Sequence, residues 1–177
     1  MIFSKSAEEL FYIGEDSDIQ VYNVKTKTTA TFSKMYTMDF VADVNNEVIY
    51  TLDHLGNMLK ISMSTAELVA SYKLFDEFNY SFSNSDISAD GKFIAYGFND
   101  DKLRVFNTEK GEFEFESKAY KTKIISLAID RDKPIVYVSS HDGDLVLFNY
   151  KTKKVVESVT AENSPFRIIS VKKRVLV

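Results

Sequence analysis

The feature that most constrains this chain is one phrase of about 16 residues that occurs four times. Each copy runs from an apolar stretch through a polar turn into a second apolar stretch, which ends on a large apolar residue. The copies are FYIGEDSDIQVYNVKT (11–26), VIYTLDHLGNMLKISMST (48–65), FIAYGFNDDKLRVFNT (93–108) and IVYVSSHDGDLVLFNY (135–150). The large residues near their ends are Tyr22, Ile61, Phe106 and Phe148, at intervals of 39, 45 and 42 residues. Tandem repetition at this interval predicts several copies of one structural unit.

Each copy predicts a β-hairpin. In the third, Phe93–Phe98 forms one strand, Asn99, Asp100 and Asp101 form the turn, and residues 102–107 form the return strand. In the fourth, Gly143 can supply a positive φ in the turn at no steric cost. Further strand-like segments flank the hairpins at 28–33, 36–44, 65–74, 80–88, 112–117, 124–130 and 154–160. Four antiparallel strands per unit and a period near 40 are typical of β-propeller blades.

The apolar pattern also favours stacked blades over a two-layer sandwich. In Leu145–Phe148 every residue is apolar, although neighbouring residues of a strand point to opposite faces. Such a strand must be covered on both faces, as the inner strands of stacked blades are. Residues 112–116, by contrast, alternate Glu and Phe, as expected for an outermost strand. Because helix signals are nearly absent, we predict an all-β chain of about four blades plus a partial fifth, an open or partial propeller.

The stretch ISADGKFIAYGFNDDKLRVFNTEKGE (87–112) resembles a WD40-repeat blade. The shared features are the SADGK bend, the acidic turn and the aromatic–Asx ending, and the resemblance extends through all four copies. The chain departs from the family's pattern because the Trp–Asp ending is replaced in every copy and the Gly–His pair is missing. The fourth copy is also similar to YVTN-type propeller repeats. The WD40 resemblance implies a non-catalytic protein–protein interaction scaffold, as a subunit or fragment of a multi-protein assembly.

The repeats predict one propeller-like domain over residues 1–177. Its predicted blades are 2–34, 35–78, 79–119 and 120–163, with a partial blade at 164–177. A typical propeller of the resembled family closes a ring of about seven blades. Three explanations fit the shortfall: the chain is part of a longer propeller, another copy of itself completes the ring, or a different protein does. We therefore expect that the chain alone is not a closed monomer.

Composition narrows the classes of partner. The formal charge is −4 and the pI about 5.3, which disfavours nucleic acid as the main partner because phosphate binding needs a concentrated basic field. The chain has no cysteine, which excludes thiol nucleophiles and cysteine-ligated zinc. No apolar run is long enough to span a membrane, and the N-terminus does not resemble a signal peptide. An intracellular protein, cytoplasmic or nuclear, is the resulting expectation.

Nothing in the sequence predicts a catalytic residue, a cofactor site or a metal site. Phosphate-binding glycine loops and zinc-binding helix motifs are absent. The only histidines, His54 and His141, occupy matching hairpin turns, which favours a structural or surface role over a catalytic one. Two other classes remain as alternatives: a cofactor- or metal-binding YVTN or quinoprotein-like propeller enzyme, and an RNA-associated propeller.

The candidate partner-binding residues lie in the hairpin turns and in the segments before the inner strands. They are Asp16, Asp18, Tyr36, His54, Tyr80, Asp100, Asp101, Tyr120, His141, Asp142, Asp144 and Phe166. The acids fit an acidic binding surface, a calcium site or simply the preference of Asp for tight turns. The aromatics fit binding hot spots or plugs between blades. Three basic clusters fit contact with an acidic partner or RNA phosphates, or plain solvation. They are Lys118, Lys121 and Lys123; Lys151, Lys153 and Lys154; and Lys172, Lys173 and Arg174.

Overall fold

The computed structural model describes residues 1–75, 82–98, 100–117, 123–160, 169–171 and 174–176. In this part of the chain the regular structure is entirely β, with strands β1–β18. Sixteen of these strands form four sheets of four, each an antiparallel meander in which every strand pairs with the next along the chain. The last two strands, β17 and β18, pair with each other. The predicted blades of four antiparallel strands are thereby confirmed, whereas the boundaries of the units remain predictions.

The chain divides into two compact units, of which the first is Met1–Phe78. It contains two sheets. The strands of the first sheet are β1 (Ile2–Phe3), β2 (Glu9–Ile13), β3 (Ile19–Asn23) and β4 (Thr28–Ser33). The strands of the second sheet are β5 (Thr37–Asp43), β6 (Val48–Asp53), β7 (Asn57–Ser62) and β8 (Leu68–Lys73). Buried side chains of both sheets, including Phe11, Ile19, Phe40, Ile49 and Ile61, form one core.

The second unit, Asn79–Val177, contains the other two four-stranded sheets and the final pair. The strands of the third sheet are β9 (Phe82–Ile87), β10 (Phe93–Phe98), β11 (Leu103–Asn107) and β12 (Glu112–Glu116). The fourth sheet comprises β13 (Ile124–Ile129), β14 (Ile135–Ser140), β15 (Asp144–Asn149) and β16 (Lys154–Thr160), and the pair comprises β17 (Ile169–Val171) and β18 (Arg174–Leu176). Residues of the third and fourth sheets form one core, and the rings of Phe115 and Phe148 stack at 4.5 Å.

Burial falls from the middle of each sheet to its outermost strand. Every residue of β11 is buried, whereas every residue of β16 is exposed. Along β15, Val146 and Phe148 are buried, and Phe148 belongs to the core shared with the third sheet, but Leu145 and Leu147 are only half-buried. Alternate residues point to opposite faces, so the third sheet covers one face of β15. The prediction that β15 is covered on both faces is therefore confirmed for one face, whereas the other face is only partly covered.

The turn between the third and fourth strands uses one design in all four sheets. After β3, β11 and β15, an Asn side-chain oxygen accepts hydrogen bonds from backbone N–H groups two and three residues later, at 2.9–3.0 Å. After β7, Ser62 caps one such group more weakly, at 3.3 Å. These side chains stand where the resembled family has Asp. The Asx turn that they form explains how the hairpin closes without a Trp–Asp pair.

The same turn requires a left-handed backbone at its fifth residue. That position is Lys27 (φ 57°), Ala66 (59°), Gly111 (74°) and Lys153 (59°) in the four sheets. Only glycine adopts this conformation without a steric penalty. Three of the four turns therefore carry local strain, and the third sheet avoids it.

In the second unit, the Asp86 side chain joins the inner strands of two neighbouring sheets. Its Oδ2 accepts a hydrogen bond from the backbone N–H of Ile129 in β13 at 2.8 Å. Its Oδ1 accepts one from Arg131, whose guanidinium also donates to the carbonyl of Ile87. Burial raises the pKa of Asp86, and the Arg131 charge only partly offsets that rise. A charged link therefore fixes β9 against β13, in addition to the apolar contacts.

Candidate interaction surface

Four hairpin turns contain most of the predicted binding residues. They are the turns between the second and third strand of each sheet: β2–β3, β6–β7, β10–β11 and β14–β15. In a four-stranded meander, the segment that leads into the first strand reaches the same end of the sheet as this turn. We call this end the hairpin rim of each unit. The first unit's rim contains Asp16, Asp18, Tyr36 and His54, and the second unit's rim contains Asp100, Asp101, His141, Asp142 and Asp144.

On the rim of the first unit, Tyr36 and His54 are in direct contact. Their ring centroids lie 5.1 Å apart in an edge-to-face arrangement. Tyr36 is 53% exposed, and the neighbouring Leu55 is 55% exposed. An aromatic pair beside an uncovered leucine forms an apolar patch at a position where most turns are polar. Sequence reasoning predicted the first two residues but missed Leu55, because a single leucine in a turn does not break the repeat pattern.

The backbone that presents this patch is held rigidly by Asp53. Its Oδ1 accepts hydrogen bonds from the backbone N–H groups of Leu55 and Asn57 at 2.9 and 2.8 Å. The Asn57 side chain donates to Oδ2 at 2.8 Å. Lys73, on β8, donates from Nζ to the carbonyl of Leu55 at 2.8 Å. The turn is fixed from both sides, so its exposed side chains are presented with little backbone freedom.

The acidic β2–β3 turn lies beside the start of β5, close to Tyr36. The backbone N–H of Thr37 donates to the carbonyl of Ser17 at 2.8 Å, and Ser17 itself has a φ of 61°. Asp16 is exposed and Asp18 is half-buried. The structure therefore brings the predicted acids of this turn to the segment that carries the aromatic pair.

On the rim of the second unit, Asp100 is bound within the protein by a buried arginine. Arg104 donates from Nη1 and Nη2 to the two oxygens of Asp100 at 3.0 and 2.6 Å, and from Nε to Glu116 at 2.7 Å. Its guanidinium lies 4.9 Å from the centre of the Phe98 ring. Burial alone would lower the pKa of Arg104, but the hydrogen bonds and charge of Asp100, with Glu116, raise it above its usual value. Asp100 therefore supports the hairpin.

The remaining rim acids of the second unit also take part in turn formation. Asp101 has a φ of 61°, and Asp142 accepts a hydrogen bond from the hydroxyl of Ser140. Asp144 accepts one from Thr160 across the β15–β16 pair. His141 is exposed, and its backbone N–H donates to the carbonyl of Lys123 at 2.9 Å. Gly143 has a φ of 89°, which confirms the role predicted for it. Three other predicted rim residues, Tyr80, Tyr120 and Phe166, lie outside the described residues.

A shallow polar cleft lies at the opposite end of the first unit. Its volume is about 330 Å³, and its walls include Lys5, Glu9 and Glu47 around the buried side chain of Met63. Sequence reasoning missed it because its residues come from three separate turns, β1–β2, β5–β6 and β7–β8, with no shared motif. The cleft's charges of both signs favour no single ligand.

The described part of the chain offers no preformed metal or unpaired polar centre. No group of three or more His, Asp or Glu side chains there could hold a metal ion. No buried side-chain nitrogen or oxygen atom in that part lacks a hydrogen-bond partner. A search of the same residues finds no helix with the length and apolar character to cross a membrane.

Comparison of the backbone with solved structures identifies the architecture. The crystal structure of a mitotic checkpoint complex contains a chain that matches with a TM-score of 0.77 at 13% sequence identity, over 95% of this chain and 52% of that one. The structure of U3-55K matches with a TM-score of 0.67 at 14% identity, over 93% of this chain and 46% of that one. The crystal structure of the RRP9 WD40 repeats gives 0.67 at 14% identity, over 94% and 46%.

The fold is that of WD40-type propeller blades. Each four-stranded sheet described above corresponds to one such blade, which confirms the resemblance seen in the sequence. The chain spans about half the length of the solved chains that it matches. No protein-family model matches the sequence, and no curated protein matches it. At 13–14% identity, the likeness establishes the fold of this chain alone.

Proposed function

We propose that this chain is a non-catalytic protein–protein interaction scaffold of the WD40 type. It acts as a subunit or fragment of a larger multi-protein assembly in the cytoplasm or nucleus. One of the similar solved structures is a mitotic checkpoint complex, which supports this class of function. The chain's length, about half that of the similar structures, supports completion of the propeller by further sequence, a second copy or another protein.

The observation that carries the proposal is the exposed patch of Tyr36, His54 and Leu55 on the hairpin rim. Interface hot spots are enriched in tyrosine, and apolar neighbours exclude water from the contact. A rigid turn loses little conformational entropy when a partner binds, so more of the contact energy appears as affinity. The Asp53 hydrogen bonds that fix this turn are therefore part of the proposed binding surface, although Asp53 need not contact the partner.

A role without catalysis is supported by the use of the polar groups. Nucleophilic or acid–base catalysis needs an activated side chain beside a base. On the second unit's rim, Asp100, Asp142 and Asp144 accept hydrogen bonds that build the hairpins. The first unit's rim presents an aromatic pair beside an exposed leucine, a composition suited to protein contacts. Both rims thus resemble surfaces for docking.

The proposal is tested by affinity capture with a tagged chain from cells that express it, followed by quantitative mass spectrometry. We expect the double substitution Tyr36→Ala and Leu55→Ala to reduce capture of specific partners at least tenfold, about 1.4 kcal/mol, as loss of a hot-spot contact would. The matched control is Val24→Ala with Thr29→Ala, which removes exposed side chains from the first sheet away from the rim. Equal partner recovery from wild type and the rim variant would refute a binding role for this patch.

A further inference from the structure

The outermost strand of the fourth sheet differs from that of the third sheet. All seven residues of β16 are exposed, and Val155, Val156 and Val159 expose 58%, 59% and 50% of their surface. In the third sheet the same position is held by β12, which carries three glutamates and turns both its phenylalanines towards partner rings. Charged outermost strands resist pairing with other chains, whereas exposed β-branched ones favour it. β16 carries only two charged residues, Lys154 and Glu157, among its exposed valines.

Among the residues that the structure describes, nothing pairs with the outer side of the β16 backbone. Within the described strands it pairs with β15 alone, and it is the last strand of its sheet. A strand at a sheet edge presents a row of N–H and C=O groups that an extended peptide can match. The side chains of such a peptide would lie beside the exposed valines. The edge therefore favours a peptide with β-branched residues.

The turn that leads into β16 adds a positive charge. Lys151, Lys153 and Lys154 are all exposed, and within the described part of the chain none of them forms a direct ion pair, although the charge of Lys153 also acts on Glu114 of β12. The backbone of this turn is fixed by Asn149, which accepts hydrogen bonds from Lys151 and Thr152 at 3.0 and 2.9 Å. A fixed cluster of three lysines at one end of the edge favours carboxylates at the adjoining end of a partner.

A second copy of this chain fits the same edge poorly. Two copies of β16 related by a two-fold axis would pair antiparallel about their central residue, Glu157. This arrangement places Glu157 opposite its own equivalent, and like charges directly opposite each other are destabilising. A different segment, with a cation opposite Glu157 and acids beside the lysines, is the better match.

We propose that β16 is a docking edge for an extended, β-branched protein segment whose C-terminal end is acidic. The segment adds to the fourth sheet as an antiparallel fifth strand, so its acidic end lies beside Lys151, Lys153 and Lys154. This surface deepens the scaffold role proposed above but uses none of the residues of the hairpin rim. The rim variant Tyr36→Ala with Leu55→Ala therefore separates the two: it should leave β16 binding unchanged.

The probe is the synthetic peptide TVTKVVEDE, which places lysine opposite Glu157 and acids beside the lysine turn. With the full chain, fluorescence anisotropy should give a Kd below about 100 μM, within the range of weak specific contacts. Two further peptides carry N-methyl groups on alternate amides, so that each blocks one of the two hydrogen-bonding edges of the added strand. Because only one set of N–H groups points at β16, one methylated peptide should lose binding and the other should retain it. Equal binding by both would overturn strand addition.

Charge is tested with a matched pair of variants. Lys151→Glu with Lys153→Glu should weaken binding about tenfold at low salt, and the difference should shrink as salt screens the charges. The control is Lys25→Glu with Lys27→Glu, which changes the equivalent positions of the β3–β4 turn, including the same left-handed residue. Because all four lysines are exposed, and the solvent-exposed ion pair of Lys25 with Glu8 contributes little to stability, both variants should unfold at similar temperatures. An equal loss of affinity in the control variant, or a Kd above about 1 mM for the unmethylated peptide, would contradict the proposal.

Discussion

The buried arginine of the β10–β11 hairpin gives the sharpest test of how the structure uses its rim acids. The Arg104 side chain is 4% exposed, and that of its bidentate partner Asp100 is 20% exposed. Arg104→Met keeps most of the side-chain volume but leaves Asp100 charged and without its cation. Charge-assisted hydrogen bonds contribute about 1.5–3 kcal/mol, and the contact with the Phe98 ring adds about 0.5–1 kcal/mol. Glu116, whose side chain is 44% exposed, adds little because solvent screens it.

We therefore expect Arg104→Met to lower the free energy of unfolding by about 3 kcal/mol, which corresponds to a fall in Tm of about 6–12 °C for a chain of this size. Asp100→Asn should cost about 2 kcal/mol, because Arg104 keeps its bond to Glu116. The double variant should cost about 3 kcal/mol instead of the additive 5, giving a coupling of about 2 kcal/mol.

Urea unfolding followed by far-ultraviolet circular dichroism measures all three variants. The slope of the transition should remain unchanged, since the substitutions alter stability and leave the fold intact. Strictly additive costs, or a loss below about 1 kcal/mol for Arg104→Met, would show that Asp100 does not depend on the arginine. In that case Asp100 would be available as a binding residue of the rim.

Two further predictions concern a turn and a titration. Gly111→Ala should destabilise the chain by about 1 kcal/mol, because Gly111 has a left-handed φ, whereas Ala66→Gly at the equivalent turn should stabilise the chain by about 0.5 kcal/mol. Thermal unfolding measures both changes. If both substitutions changed the stability in the same direction, the explanation by turn strain would be refuted. Burial, together with the hydrogen bond to Asp130, raises the pKa of Tyr137 to about 12. The stability that this raised pKa contributes is fully present below pH 10 and is lost as pH rises towards 12. Between pH 10 and 11, the free energy of unfolding should therefore fall less steeply with pH for Tyr137→Phe than for wild type. Equal slopes of the two curves would contradict the raised pKa.

The strands were largely predictable from the sequence. Segments 28–33, 93–98 and 154–160 were predicted as strands with the same ends that the structure shows. Strand positions are encoded locally, by β-branched and aromatic residues between Asn, Asp and Gly turns, and the fourfold repetition averages out local exceptions. The fold followed from the repeat interval, since only a few architectures are built from units of about 40 residues.

The roles of individual side chains were less predictable, because they depend on contacts between distant segments. The pairing of Asp86 with Arg131 crosses from one repeat to the next, and no single repeat contains both residues. The contact between Tyr36 and His54 depends on the end of the sheet that each segment reaches. Asp100 looked like a surface acid because the sequence does not show that Arg104 points back across the hairpin. The Asx caps of the turns between the third and fourth strands could have been predicted, because Asn recurs at the end of three copies.

The meander order of the strands bears on how this protein is made. Every strand of the four-stranded sheets pairs with its immediate neighbours in the chain, so each sheet is complete once about 40 residues have left the ribosome. Translation supplies these residues over several seconds at about 5–20 per second, whereas a hairpin forms within about 1–10 μs. Each sheet therefore has time to form before the next is synthesised. Its apolar face stays uncovered until the next sheet has formed. Ribosome-bound chains of increasing length should consequently gain protease resistance in steps of one repeat.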